Sequence, residues 1–100
     1  MRIIAKSTLR EFYEIHNDCE TAINEWYNTV IKENWNTAND LKLKFKNASI
    51  INNTRVVFNI KGNSYRLLVD VNYIFKLVFI VWFGTHSEYD KINVKTIKYE

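Results

Sequence analysis

A short polar cluster with the residue types of an acid-base site follows the most apolar stretch of the sequence. That stretch covers residues 77–83 and is ended by Gly84. The cluster contains, in order, Thr85, His86, Glu88, Tyr89 and Asp90. Imidazole titrates near neutral pH and can act as a general base or as a general acid. A histidine beside a tyrosine and two carboxylates therefore indicates proton-transfer chemistry.

The same residues also fit an ordinary helix start at the protein surface. In this alternative Thr85 or Ser87 caps a short helix, and Glu88 and Asp90 lie in its first turn, where the helix dipole favours negative charge. His86 is then a half-exposed surface residue with no chemical role. The local pattern leaves both interpretations open.

The apolar stretch is the element that must position the cluster. Residues 77–83 are seven consecutive apolar or aromatic residues, rich in β-branched types, which predicts a strand covered on both faces. We expect it to be the central strand of a sheet. If the strand continues through Gly84, the alternation of side chains places His86 on the same face as Ile80 and Trp82. A rigid strand would then hold the imidazole at the rim of the sheet.

The periodicity upstream predicts an α+β fold, with two N-terminal helices and a short third packed on one face of a small, mainly antiparallel sheet. Residues 1–5 are a candidate edge strand. Thr8 and Glu11 fit a capping box at the start of the first helix, and the break at residues 17–18 begins a second, longer helix. The third helix is expected around residues 41–45.

The sheet is predicted from two alternating segments. Residues 55–60 and 65–71 carry apolar side chains at every second position, and residues 61–64 fit a hairpin turn in which glycine and asparagine tolerate positive φ. Residues 48–53 are expected as a loop or a weak strand. Helices on one face of the sheet leave the other face to meet a partner. Residues 93–100 fit either a closing strand or a frayed tail.

The composition predicts one packed domain over residues 1–100, with 47% hydrophobic and 15% aromatic residues. The longest apolar run is far short of the roughly 20 residues that span a bilayer, and no signal peptide is evident, so we expect a cytoplasmic protein without membrane contact. A lone cysteine forms no internal disulfide. Because two histidines and one cysteine at scattered positions match no usual ligand spacing, no metal and no cofactor are predicted.

The charge is unevenly distributed along the chain. Residues 1–40 contain four Lys or Arg and seven Asp or Glu, a net charge of −3, whereas residues 41–100 contain ten and four, a net charge of +6. A basic half of this kind indicates a surface for nucleic acid or another polyanion.

The basic half supplies what metal-free RNA cleavage requires. The reaction needs a base for the ribose 2′-hydroxyl, cations for the charge on the phosphate and an acid for the departing 5′ oxygen. His86 could act in either proton transfer, and the candidate cations are Arg55, Lys61 and Arg66. Tyr89 could stack on an unpaired base, whereas we interpret Trp82 as a core residue.

Two segments carry a likeness to a known family. They are RVVFNIKGNSYRLLVDVNY, residues 55–73, and VFIVWFGTHSEYDKI, residues 78–92. Together they resemble the HigB family of toxins from bacterial toxin-antitoxin pairs, within the RelE-like ribonuclease superfamily. The opening of the chain is also similar in the family's order, with IIAKSTLREF, AINEWY and NWNTANDLK. The likeness covers essentially the whole chain and implies a single RelE-like toxin domain over residues 1–100.

The resemblance implies the toxin of a type II system, an endoribonuclease that cleaves mRNA, usually on the translating ribosome. It also implies a HigA-type antitoxin with a helix-turn-helix domain that silences the toxin. It places catalytic roles on His86, Tyr89 and Asp90, with His86 as the proton-transfer residue. The residues proposed for phosphate or RNA binding are Lys61, Asn63 and Arg66 of the hairpin motif, with Arg55 as a further candidate.

Three positions depart from the family's pattern. Val81 stands where many relatives carry a basic residue, Ile74 where a lysine is common, and Asp70 where a basic or neutral residue is usual. Fewer cations on the hairpin strands suggest weak binding of free RNA, for which a ribosome that presents mRNA already positioned would compensate. The alternative function is a binding module that grips RNA or a protein and does no chemistry, such as a degraded toxin that retains antitoxin binding.

Overall fold

A five-stranded sheet lies at the centre of the structure, a computed structural model that describes residues 1–98 apart from the side chains of residues 6 and 7. The strands are β1 (Arg2–Ile4), β2 (Ser49–Ile50), β3 (Arg55–Ile60), β4 (Tyr65–Asn72) and β5 (Leu77–Thr85). They are ordered β1-β5-β4-β3-β2, with β1 parallel to β5 and the other neighbours antiparallel. The predicted α+β fold is confirmed.

The middle strand of the sheet is β4. The expectation that residues 77–83 form the central strand is wrong, because Ser49–Ile50 adds a fifth strand beyond β3. β5 is nevertheless an interior strand, hydrogen-bonded to β1 on one side and to β4 on the other. That interior position explains its continuous apolar sequence.

Four helices and one 3₁₀ turn complete the described part of the chain. They are α1 (Lys6–Ile15), the 3₁₀ turn Asn17–Cys19, α2 (Glu20–Val30), α3 (Ala38–Lys44) and α4 (His86–Tyr89). The predicted capping box of Thr8 and Glu11 is wrong, because α1 begins earlier, after Ala5 in the left-handed conformation with φ of 69°. By contrast α3 is capped by a side chain, since the Thr37 hydroxyl accepts a hydrogen bond of 3.2 Å from the Asp40 backbone N–H.

The first three helices pack on one face of the sheet, which we call the helix face. Its core contains the alternating residues predicted for β3 and β4, namely Val56, Phe58, Ile60, Tyr65, Leu67, Val69 and Val71. Trp26 of α2 packs edge-on against Phe58, with ring centroids 5.3 Å apart. This continuous apolar core is what holds the sheet rigid beneath the residues at its end.

The opposite face, which we call the second face, has a smaller core of Val57, Leu68 and Val81. Its partly buried cover consists of Ile51, Trp82, Tyr89, Ile92 and Ile97. Because residues after α4 cross this face, the expectation that it is left uncovered for a partner is wrong for its centre. Residues 94–96 form a turn, and residues 93–98 contain no closing strand. Residues 99 and 100 lie outside the described residues.

A β-bulge in β5 decides which of its side chains reach each face. Val69 pairs with Ile80, but Leu68 pairs with Trp82, so Val81 is an extra residue in the strand. Val81 and Trp82 both contribute to the second face, whereas Ile80 belongs to the helix-face core. The expectation that Ile80 and Trp82 share a face is therefore wrong.

No helix within residues 1–98 combines the length and apolar character needed to cross a membrane. Over the same residues, no three His, Cys, Asp or Glu side chains are grouped so that they could hold a metal ion. Cys19, the last residue of the 3₁₀ turn between α1 and α2, is buried, and burial raises the pKa of its thiol to about 11.

Candidate active site

The helix α4 continues directly from β5 and carries three of the predicted site residues. Its N-cap is Thr85, whose hydroxyl accepts a hydrogen bond of 3.2 Å from the Glu88 backbone N–H. In return, the Glu88 carboxylate accepts one of 2.8 Å from the Thr85 backbone N–H, and this bond lowers the pKa of Glu88. The helix start proposed as the alternative is therefore formed, and it fixes the backbone of the candidate site.

His86 is the first residue of α4 and lies beside the β3-β4 hairpin. Its backbone N–H donates to the Ser64 carbonyl at 3.1 Å, which ties the helix to the hairpin turn. Its Nε2 lies 3.6 Å from Oδ1 of Asp90, one helical turn further on. The two side chains are 54% and 63% exposed. The imidazole is thus open to a large substrate, and Asp90 is placed to pair with it when it is protonated.

Arg66 reaches the same end of the sheet from β4, where it pairs with Gly84. Its guanidinium carbon lies 5.9 Å from the centre of the Tyr89 ring, a cation-π contact. Nη1 also donates to the backbone oxygens of Asn63 and Tyr65, at 3.1 and 3.2 Å. Within residues 1–98, no carboxylate forms an ion pair with Arg66. Its charge is therefore available to a phosphate.

The lack of a side chain at Gly84 allows two groups to close in on the strand. A Cβ at this position would lie 2.6 Å from Cζ2 and Cη2 of Trp82 and 3.0 Å from Oε1 of Glu88. The same indole is tilted against Tyr89, with ring centroids 6.3 Å apart. Trp82 therefore supports the ring over which Arg66 lies, a relation that its interpretation as a core residue did not anticipate.

Asn63 lies in the exposed hairpin turn beside this cluster. Its side-chain oxygen accepts a hydrogen bond of 3.4 Å from the Asn59 side-chain amide. The turn differs from the prediction in one respect, because Lys61 and Gly62 adopt the positive φ values, 54° and 63°. The left-handed positions are thus taken by the lysine and the glycine, and it is the backbone oxygen of Asn63 that contacts Arg66.

Lys61 is directed away from the cluster, toward the 3₁₀ turn between α1 and α2. Its Nζ lies 2.9 Å from Oδ2 of Asp18, and the Tyr65 hydroxyl donates to Oδ1 of the same carboxylate at 2.6 Å. The bond from Tyr65, followed by the one from Lys61, lowers the pKa of Asp18. The bond to Asp18 in turn raises the pKa of Tyr65 to about 12. Lys61 thus fastens the hairpin to the helices, with its charge compensated.

Arg55 lies at the far end of the hairpin, and its side chain is 9% exposed. Nε and Nη2 donate to the two carboxylate oxygens of Asp70 at 2.9 and 2.8 Å, which raises the pKa of Arg55. Nη1 donates to the carbonyls of Val94 and Ile97 at 3.2 and 2.6 Å. Four strand positions, roughly 13 Å, separate Arg55 from the row of Arg66. Its donors are used within the protein, so the predicted RNA contact has no support in this geometry.

An aromatic stack lies behind the candidate site on the helix face, and sequence analysis missed it. Phe83 stacks between Phe12 and Tyr65, with centroid distances of 4.9 and 5.3 Å, and His16 tilts against Tyr65 at 5.1 Å. Because 47 residues separate Tyr65 from its acceptor Asp18, no local pattern could have indicated this arrangement. The stack holds the end of β5, and with it the start of α4, against the helices.

The structure brings together five of the predicted site residues and separates the other two. Those at one end of the sheet are Asn63, Arg66, His86, Tyr89 and Asp90. The exposed imidazole and the guanidinium lie at an open rim, whereas two cavities of about 420 and 490 Å³ lie elsewhere, between α1 and α2 and beside the far end of β4. An open rim suits an extended polymer better than a small molecule. The arrangement can transfer a proton next to a bound anion.

Comparisons with known proteins identify the family of the chain. The family model described as the HigB toxin, a RelE-like toxic component of a toxin-antitoxin system, matches residues 19–92. That range includes α2, the whole hairpin, β5 and α4. The mRNA interferase HigB of Escherichia coli O6:H1 is 24% identical to this chain over 95 residues, which cover 93% of this chain and 92% of that protein.

Proposed function

The chain belongs to the HigB family, the RelE-like toxic components of toxin-antitoxin systems, and from this premise we propose that it is an endoribonuclease that cleaves mRNA without a metal ion. The proposed substrate is mRNA on the translating ribosome, in the cytoplasm. The proposed partner that silences it is a HigA-type antitoxin with a helix-turn-helix domain. A relative that aligns with this chain over nearly the full length of both proteins carries the name mRNA interferase, which supports the choice of substrate.

The observation that carries the proposal is the meeting of His86 and Arg66 at one end of the sheet. Cleavage by the neighbouring 2′-hydroxyl requires removal of a proton and neutralisation of charge on the phosphate at the same place. The capping box fixes the helix of His86, and strand pairing fixes Arg66 opposite Gly84. Groups held on such rigid elements supply the positioning on which metal-free catalysis depends.

In the proposed reaction, the ribose 2′ oxygen attacks the adjacent phosphorus and loses its proton. The bond from phosphorus to the 5′ oxygen breaks, and this oxygen takes up a proton, which leaves a cyclic phosphate and a free 5′-hydroxyl. His86 acts in one of these two proton transfers. Asp90, whose Oδ1 lies 3.6 Å from Nε2 of the imidazole, orients the ring.

The remaining roles concern the phosphate and the bases. Arg66 contacts the phosphate that gathers charge, and Tyr89 holds the guanidinium and offers a ring to an unpaired base. Asn63 contributes a further polar contact from the hairpin turn. Lys61, whose side chain is 47% exposed and paired with Asp18 away from the cluster, reaches the RNA only by exchanging that carboxylate for a phosphate. Arg55 has no part in the proposal, because its guanidinium is engaged with Asp70.

The small number of free cations in the cluster supports a ribosome-borne substrate. Arg66 is the arginine of the cluster, and no carboxylate of residues 1–98 forms an ion pair with it. Binding of free RNA depends strongly on the number of neutralised phosphates, so that a site with one such cation binds it weakly. An mRNA already held in place by the ribosome removes much of this cost.

The test is expression of the wild type and of His86→Ala without any antitoxin, with mapping of new 5′ ends in mRNA. We expect His86→Ala to lower the cleavage rate by about 10²- to 10⁴-fold. His16→Gln is the matched control, because this second histidine lies behind the site and should leave cleavage nearly unchanged. Equal cleavage by wild type and His86→Ala would contradict the catalytic assignment. A wild type that arrests growth without new 5′ ends would favour the non-catalytic binding module.

A further inference from the structure

The candidate site holds fewer free cations than an RNA substrate calls for. Lys61 is paired with Asp18 and Arg55 with Asp70, which leaves Arg66 without a carboxylate in the described part of the chain. RNA carries one negative charge per nucleotide, and affinity for it grows with each phosphate that a protein neutralises. Free cations next to the cluster would add to this affinity.

Three lysines follow α4 within a short stretch, Lys91, Lys95 and Lys98, and all three are exposed. Residues 91–98 contain no acidic residue. None of the three forms an ion pair with a carboxylate of residues 1–98. Lys91 directly follows Asp90, the C-cap of α4, and is near enough to Glu88 to contribute to its lowered pKa. The positive charge thus begins at the candidate site and continues along the chain.

The backbone of this segment is fixed to the second face. Ile92 and Ile97 pack against the core of that face. Arg55 donates to the carbonyls of Val94 and Ile97 from below, and the Asn93 carbonyl accepts bonds of 3.2 and 3.0 Å from the N–H groups of Thr96 and Ile97. Lysines on an ordered segment lose less conformational freedom on binding than lysines on a mobile tail.

We propose that residues 91–98 form a second RNA-binding surface, continuous with the candidate active site, in which Lys91, Lys95 and Lys98 contact phosphates of single-stranded RNA. Arg55 serves this surface indirectly, because it holds the backbone that carries the lysines. The inference rests on the proposed function for its substrate class. Phosphate contacts position a strand and add affinity, but they do not read sequence, so the surface places the RNA and leaves selection of the cleaved site to other contacts.

The experiment measures binding of a fluorescently labelled single-stranded RNA over a range of salt concentrations, in the His86→Ala background so that the RNA stays intact. The variant changes Lys91, Lys95 and Lys98 to Gln. Each phosphate contact in single strands contributes about 0.7 to the slope of log affinity against log salt, so the slope should fall by about 2. The matched control changes three other exposed lysines to Gln: Lys32, which follows α2, Lys44 at the end of α3, and Lys46, which follows α3. This control removes the same net charge and should leave the slope nearly unchanged.

The outcomes separate this inference from the proposed activity. A slope that falls in the first triple variant and is retained in the control supports the surface, even if the wild type cuts no mRNA. Equal slopes in both triple variants would overturn the surface, because net charge alone would then explain the binding. A wild type that cleaves mRNA normally while the first triple variant keeps the full slope overturns the surface and leaves the proposed activity intact. Far-UV circular dichroism of each variant confirms that these exposed substitutions leave the fold unchanged.

Discussion

Arg55 and Arg66 project from the same hairpin onto the same face of the sheet, yet their surroundings give them opposite uses. Arg55 pairs with Asp70 on the neighbouring strand. The residue as a whole is 7% exposed, and its guanidinium makes four hydrogen bonds within the protein. Arg66 stands between Asn59 and Gly84, neither of which is acidic. The residue that pairs with each arginine on the neighbouring strand therefore decides whether the arginine stabilises the fold or stays available to a substrate.

Lys61 is an intermediate case between the two arginines. It has a carboxylate partner, as Arg55 has, but the side chains of Lys61 and Asp18 are 47% and 49% exposed. Solvent screens such a pair, and exposed ion pairs contribute little to stability. Its partner can thus be exchanged for a phosphate at a much smaller cost than the partner of Arg55. The three cations form a series from fully engaged to free.

The largest effect that distinguishes the two arginines is on catalysis. Arg66→Gln should lower mRNA cleavage by about 10²- to 10³-fold, because it removes a preorganised donor for the phosphate. The free energy of unfolding should change by only about 1 kcal/mol, because the variant loses one cation-π contact and two hydrogen bonds to backbone oxygens that water can replace. Cleavage assays and urea denaturation of the same variant measure both. Arg66→Lys keeps the charge without the planar fork and should restore part of the activity. If Arg66→Gln cleaved mRNA at the wild-type rate, Arg66 would have no role in the site.

The reverse pattern is expected at the other end of the hairpin. Arg55→Gln should lower the free energy of unfolding by about 2 kcal/mol, because the Asp70 carboxylate and two backbone carbonyls lose their partner. Asp70 is 32% exposed, and water therefore compensates part of the loss. Urea denaturation measures the effect, and cleavage on the ribosome by the folded protein should be little changed. A variant as stable as the wild type that no longer cleaves mRNA would mean that Arg55 contacts the substrate after all.

The fold was predictable to the extent that it depends on local patterns. Alternation in β3 and β4 indicated the correct inward residues, and the strand bounds of Arg55–Ile60 were correct. The bulge at Val81 was not predictable, because an extra apolar residue in an apolar run leaves the pattern unchanged. The two-residue strand Ser49–Ile50 depends on pairing with β3 and carries no alternation of its own.

The candidate site also has a part that sequence order alone locates and a part that depends on tertiary contacts. His86, Tyr89 and Asp90 follow one another on a single helical turn, so that sequence order alone places them together. The pairing of Arg55 with residues 94–97 spans 39 positions or more and depends on how the chain crosses the second face. Residue type predicted which side chains could bind a phosphate, but only tertiary contacts decide which of them are free to do so.

The smallest expected effect concerns the third cation and appears as a pH dependence. The Tyr65 hydroxyl and Lys61 lower the pKa of Asp18 below its ordinary value of 3.8, so the folded protein binds this proton less readily than the unfolded chain. The pair therefore stabilises the fold above about pH 4, and its contribution is lost as the pH falls through the lowered pKa. Asp18→Asn should be less stable than the wild type at neutral pH, and the difference should shrink toward pH 3, as thermal unfolding over this range would measure. Lys61→Gln should show the same trend to a smaller degree, since it leaves the Tyr65 bond in place. If the difference in stability between the wild type and Asp18→Asn stayed constant with pH, Asp18 would not hold Lys61. Lys61 would then be free to contact a phosphate together with Arg66.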